Sequence, residues 1–127
     1  MPDASILIIE DDGLIALRTI ELLTKAGYKV PDPVPTGEEA LEYLADSPRP
    51  DIVLMDIGLA GKIDGIETAR RVRALHGIPV IFLTAYTNES MVKRMNEVGP
   101  SGYLVKPFLE AQLLGAVKQA LNPKATR

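Results

Sequence analysis

Uninterrupted apolar runs alternate along the chain with segments whose apolar residues recur every three or four positions. The first run, Ser5-Ile6-Leu7-Ile8-Ile9, ends in Glu10-Asp11-Asp12-Gly13. Such a run, with its β-branched residues, predicts a strand buried on both faces, the habit of a parallel sheet. Leu14, Leu17, Ile20, Leu22 and Leu23 then fall at helical spacing over 14–26, and Gly27 is the expected stop. Positions 29–34 predict a second strand. Pro31, Pro33 and Pro35 interrupt it, and because proline donates no ladder hydrogen bond the strand belongs at a sheet edge.

Thr36-Gly37-Glu38-Glu39 has the pattern of a capping box, with Thr36 as N-cap and Glu39 reaching back. The helix that it opens runs through Ala40, Leu41 and Leu44 and stops before Ser47-Pro48-Arg49-Pro50. Ile52-Val53-Leu54-Met55-Asp56 is the third strand, and an amphipathic helix follows over 66–75. Pro79-Val80-Ile81-Phe82-Leu83 is the fourth strand, leading through Thr84-Ala85 to a helix over 88–98. Gly102-Tyr103-Leu104-Val105 is the fifth, before Lys106-Pro107-Phe108 and a last helix over 110–121. His76 falls where a helix C-terminal cap is expected; Met91 and Met95 share one helix face as core residues, and Arg70, Arg71 and Arg73 read as a solvated face.

Five β-α units in succession imply a parallel sheet with helices on both faces and right-handed crossovers. The expected fold is α/β and flavodoxin-like, a (βα)5 doubly wound sandwich with a five-stranded parallel sheet of order 2-1-3-4-5. That order sends the proline-bearing strand to an edge. One domain is expected over 1–122, with a short polar tail at 123–127.

Composition narrows the function. A chain of 127 residues and 13.8 kDa fits a single core. Its net charge of -3 argues against direct nucleic-acid binding, which needs excess Lys and Arg. Cysteine is absent and His76 is the one histidine, which excludes disulfides, thiolate chemistry and zinc clusters. Neither a membrane-spanning run nor a signal segment is apparent, so a cytoplasmic location is expected.

Ligands of open α/β sheets bind beyond the carboxyl ends of the strands. Here those ends bear Glu10-Asp11-Asp12, Asp56, Thr84 and Lys106. Taken singly, Asp11 or Asp12 reads as a helix cap, Asp56 as a turn residue, Thr84 as a cap and Lys106 as a surface cation. Their convergence on one edge carries the argument. Three carboxylates about 5 Å apart repel by about 3 kcal/mol per pair at an effective dielectric near ~20. A divalent cation relieves that repulsion, and an all-oxygen set favours Mg²⁺, or Mn²⁺, over zinc. With a lysine and a hydroxyl alongside, the chemistry fits phosphoryl transfer to the Asp56 carboxylate.

These pieces together resemble the receiver domain of response regulators in two-component signalling. The resemblance rests on Ile8-Ile9-Glu10-Asp11-Asp12, Leu54-Met55-Asp56, Asp64-Gly65, Leu83-Thr84-Ala85 and Gly102-Tyr103-Leu104-Val105-Lys106-Pro107-Phe108. It covers about Ser5 to Leu121. It implies that Asp56 accepts a phosphoryl group from a phosphohistidine on a histidine kinase or histidine phosphotransfer protein. Asp12 and Asp56 would bind Mg²⁺ directly with the Gly58 carbonyl, and Asp11 through a water. Thr84 and Tyr103 would be the switch pair, and Lys106-Pro107 would carry a cis peptide bond. The domain would catalyse its own phosphorylation and dephosphorylation without turning over an external substrate. It would act through a downstream effector or a fused output domain, with a homodimer through the fourth helix, fifth strand and fifth helix as one arrangement open to it.

The loop after Asp56 has one residue more than the commonest receivers, and Ala60 stands where proline is frequent. With Gly58, Gly61 and Lys62 present, that loop is expected to be more mobile than usual until metal or phosphate orders it. Gly58 and Tyr86 are the positions expected to tune dephosphorylation, Tyr86 by crowding the hydrolytic water. Competing readings are a receiver-like scaffold that is never phosphorylated, a Mg²⁺-dependent phosphatase or nuclease of similar fold, and a flavodoxin. The phosphatase or nuclease reading wants a second acid where Gly58 stands, and the flavodoxin a hydroxyl-rich loop where this chain places acids.

Overall fold

The computed structural model describes residues 4–59, 61–85 and 88–122. In chain order the elements are β1 (Ile6–Ile9), α1 (Gly13–Lys25), α2 (Gly37–Asp46), β2 (Ile52–Asp56), α3 (Gly65–His76), β3 (Val80–Thr84), α4 (Glu89–Val98), β4 (Gly102–Val105) and α5 (Glu110–Leu121). The strands form one parallel sheet of order β1-β2-β3-β4. Ile9 stands level with Met55, Met55 with Phe82 and Phe82 with Tyr103. This register brings the carboxyl ends of all four strands to one rim.

The fold is flavodoxin-like, but the expected five-stranded sheet needs correcting. Positions 28–34 make no strand. They touch the free edge of β1 only at two isolated parallel bridges, Ser5↔Lys29 and Ile9↔Val34. Lys29 and Val34 exchange backbone hydrogen bonds with the β1 side at both ends of the segment. Between them stand Pro31, Asp32 and Pro33. A strand needs an N–H at alternate positions, and the prolines remove it. The segment keeps the edge place expected of it without the ladder.

The apolar residues of β1, β2 and β3 alternate between two cores, as the pleat requires. Leu7, Ile9, Val53, Met55, Val80 and Phe82 pack with Ala40 and Leu44 of α2, Ile66, Ala69 and Val72 of α3, and Met95 of α4. Ile6, Ile8, Ile52, Leu54, Ile81 and Leu83 pack on the other face with Leu23 of α1 and Leu113 and Val117 of α5. Each fully buried Ile, Leu or Phe contributes ~1.5–3 kcal/mol. Two such layers support the rim from both faces of the sheet.

Polar side chains cap four helices at the N-terminus: Asp12, Thr36, Asp64 and Asn88 each accept a backbone amide of the first turn. His76, expected as a cap, is instead the last residue of α3. Gly77 takes the cap position with φ 65°, a left-handed conformation that a Cβ disfavours. Met95 is buried and Met91 packs against the same core. Arg70 and Arg71 pair with Glu67 on the outer face of α3.

The loop between β2 and α3 makes several contacts among its described residues. Ile57 and Leu59 are buried in the core. The Gly65 amide donates to the Ile57 carbonyl at 3.0 Å. Glu38 of α2 accepts the amides of Lys62 and Ile63 at 2.8 and 3.3 Å. Ala60, Tyr86 and the tail 123–127 lie outside the described residues.

Candidate active site at the carboxyl rim of the sheet

Glu10 is the first residue beyond β1. Its amide donates to the Val34 carbonyl at 3.0 Å, which holds it in the sheet, and its side chain is buried. Asp56 ends β2 and is 7% exposed. Thr84 ends β3 and is buried. Lys106 follows β4, its amide bonded to the Thr84 carbonyl at 2.8 Å, and the Lys106-Pro107 peptide is cis. Arg18 of α1 holds the turn beyond it, donating to the Phe108 carbonyl at 3.1 Å and lying over the Phe108 ring.

The Lys106 ammonium joins the two ends of the site. Its Nζ lies 2.9 Å from Glu10 Oε1 and 3.0 Å from Asp56 Oδ1. Burial disfavours the ammonium, but Glu10 and Asp56 outweigh it and hold the lysine pKa above its ordinary value. Burial first, and Asp56 alongside, push the Glu10 carboxyl up to about 7 against the lowering effect of Lys106. The Gly58 amide donates to Asp56 Oδ1 at 3.3 Å. Tyr103 on β4 is 43% exposed, turned toward solvent.

Glu10, Asp11 and Asp56 each bring a carboxylate oxygen within 4.8 Å of the others. This group has no nitrogen or sulfur donor, and its chemistry fits a hard divalent cation. Asp12, expected among the metal ligands, stands elsewhere. Its Oδ1 accepts the amides of Leu14 and Ile15 at 3.0 and 3.2 Å, so it caps α1. The residue directly after the last buried strand position points into the rim, and the residue directly before the helix caps it. Glu10 is the member that sequence reasoning left without a role. Its signal was its place, flush against the end of the apolar run.

A family profile described as the response regulator receiver domain matches residues 6–118. The chain belongs to the response regulator receiver domain family. Over 117 residues this receiver is 35% identical to the transcriptional regulatory protein PdtaR of Mycobacterium tuberculosis, covering 92% of the chain and 56% of that protein. It is 33% identical over 126 residues to sporulation initiation phosphotransferase F of Bacillus subtilis, covering 98% of the chain and 99% of the relative. The signal receiver domain of a modulated diguanylate cyclase from Desulfovibrio desulfuricans superposes with a TM-score of 0.89 at 37% identity, over 98% of both chains. The receiver thus spans about half the length of the first relative and nearly all of the second. The role of the domain is that of a phosphoacceptor in two-component signalling. Receivers are signalling domains that meet kinases or phosphotransfer proteins on one side and outputs on the other. No helix among the described residues is long and apolar enough to cross a membrane.

Proposed function

We propose that Asp56 takes the phosphoryl group from a phosphohistidine of a histidine kinase or phosphotransfer protein. The observation that carries this reading is the meeting of Asp56 with Lys106, Glu10 and Asp11 at the sheet rim. An Asp56 oxygen attacks phosphorus in line, the P–N bond breaks, and the departing imidazole nitrogen keeps the electron pair and takes up a proton. Catalysis of this kind is mostly positioning and neutralisation of charge. Lys106 turns from the Asp56 carboxylate to a phosphoryl oxygen. The Thr84 hydroxyl donates to another, and Tyr103 follows inward as the partner of that switch.

Glu10, Asp11 and Asp56 form the proposed Mg²⁺ set, with the Gly58 carbonyl completing it. Bound there, Mg²⁺ or Mn²⁺ would supply positive charge to the phosphoryl oxygens. The chain turns over no external substrate. Its product is its own aspartyl phosphate, read by a downstream protein or an output domain.

The test is intact mass after incubation with Mg²⁺ and acetyl phosphate. One added phosphoryl group is expected on the wild type and none on Asp56→Asn. Labelling that persists in Asp56→Asn would remove Asp56 from the mechanism.

A further inference from the structure

The loop between β2 and α3 is held from outside by one side chain that the reaction itself does not use. Glu38 is the second residue of α2. Its Oε2 accepts the amides of Lys62 and Ile63 at 2.8 and 3.3 Å. Its Oε1 is shut off from solvent and has no hydrogen-bond partner among the described residues. That oxygen lies 2.6 Å from where a Cβ on Gly61 would stand, and Gly61 adopts φ 105°. Glycine at 61 therefore both permits the left-handed turn and leaves room for the carboxylate. Bonds from backbone amides, its own and that of Lys62 foremost, hold the Glu38 carboxyl below the usual glutamate range.

The two ends of the same loop close on the phosphoacceptor. The Gly58 amide sits on Asp56 Oδ1, and the Gly65 amide returns to the Ile57 carbonyl. The loop is thus a closed circuit, with Asp56 at its mouth and Glu38 at its far turn. Bonds to a carboxylate are charge-assisted and stronger than those between neutral groups. Holding a loop in its bound form in advance lowers the entropy cost of binding.

We propose that Glu38 is a positioning residue for the phosphoacceptor site. By fixing amides 62 and 63, it presets the oxygens of Asp56 and Gly58 for a divalent cation. This rests on the cation site proposed above. Helix α2 does not depend on Glu38 for its start, because Thr36 caps it through the Glu39 amide at 3.1 Å.

The test compares wild type, Glu38→Gln and Glu38→Ala by amide hydrogen exchange and by Mg²⁺ titration followed on the Gly58 amide resonance. In Glu38→Ala, exchange at Lys62 and Ile63 should accelerate at least about tenfold, and the Mg²⁺ dissociation constant should rise about threefold to tenfold. The labelling rate at saturating Mg²⁺ should stay within about twofold of wild type, because the lost function is preordering. Glu38→Gln keeps an acceptor oxygen but not its charge, and should fall between wild type and Glu38→Ala in exchange and in Mg²⁺ affinity. Gly61→Ala, which crowds the carboxylate from the loop side, should repeat the Glu38→Ala pattern.

An unchanged Mg²⁺ constant in Glu38→Ala would overturn the proposal. So would equal losses in the glutamine and alanine variants, which would show that the acceptor oxygen kept by glutamine holds nothing. A wild type that binds Mg²⁺ but takes no phosphoryl group would sink the reaction and leave Glu38 to be decided by the binding data. A wild type that binds no Mg²⁺ would overturn both.

Discussion

Lys106 is the residue on which the geometry of the site turns. A single ammonium spans Glu10 and Asp56, so it already occupies the place where positive charge is needed. Replacing it with alanine should leave the acids in place and slow phosphoryl incorporation from acetyl phosphate by about a hundredfold, the usual cost of losing one preorganised charge partner. A rate in Lys106→Ala within about threefold of wild type, measured at saturating Mg²⁺, would show that the cation alone suffices. At this scale the sequence was informative about identity and less so about register. Asp56, Thr84 and Lys106 were visible because Asp56 and Thr84 each end a strand and Lys106 directly follows one. The triplet Glu10-Asp11-Asp12 offered three acids for two tasks. Which acid caps α1 depends on where the helix begins, and helix ends are set by hydrogen bonds that composition does not display. The helix begins at Gly13, which makes Asp12 the cap and moves the acidic pair back to Glu10 and Asp11.

Among the elements, the junction of β2 and α3 is crowded by backbone. A Cβ on Gly65 would stand 2.0 Å from the Asp56 carbonyl oxygen and 2.7 Å from the Ile57 Cα. Both are backbone atoms that cannot turn aside. Gly65→Ala is therefore expected to destabilise the protein by about 2 kcal/mol or more. The urea midpoint reads this directly, and phosphoryl incorporation should fall with it, because the displaced backbone is that of Asp56 itself. A midpoint matching wild type would mean that the loop relaxes freely. The Asp64-Gly65 pair stood out in the sequence as a motif. Its physical content, an acid that caps α3 and a glycine pressed against the phosphoacceptor, required coordinates. The grip of Glu38 on the loop was equally hidden, since nothing in a capping-box pattern says that the side chain of the first of two glutamates reaches a neighbouring loop.

For the whole molecule, alternation of apolar runs with helical periods was enough to specify the architecture, because a strand buried on both faces has few homes besides a parallel sheet. The count of strands was not, since it depends on whether two prolines break a ladder or merely thin it. A cation held by Glu10, Asp11 and Asp56 would bind the folded state alone, so at about ten times its dissociation constant it should add about 1.4 kcal/mol of stability. For a domain of this size the thermal midpoint should rise by roughly 5 °C with Mg²⁺, return on chelation, and move far less in Asp56→Asn. Equal shifts in wild type and Asp56→Asn would place the cation elsewhere. The proline-bearing segment beside β1 has a further effect, on how copies of the protein meet. It lies along one margin of the sheet as an irregular run carrying Pro31, Pro33 and Pro35, and a stray strand finds no regular ladder to zip onto there. The opposite margin, β4, has no proline from Gly102 to Val105. The two flanks are thus unequal in stickiness: one is sealed against strand addition by its own chemistry, and any growth of the sheet is steered to the other.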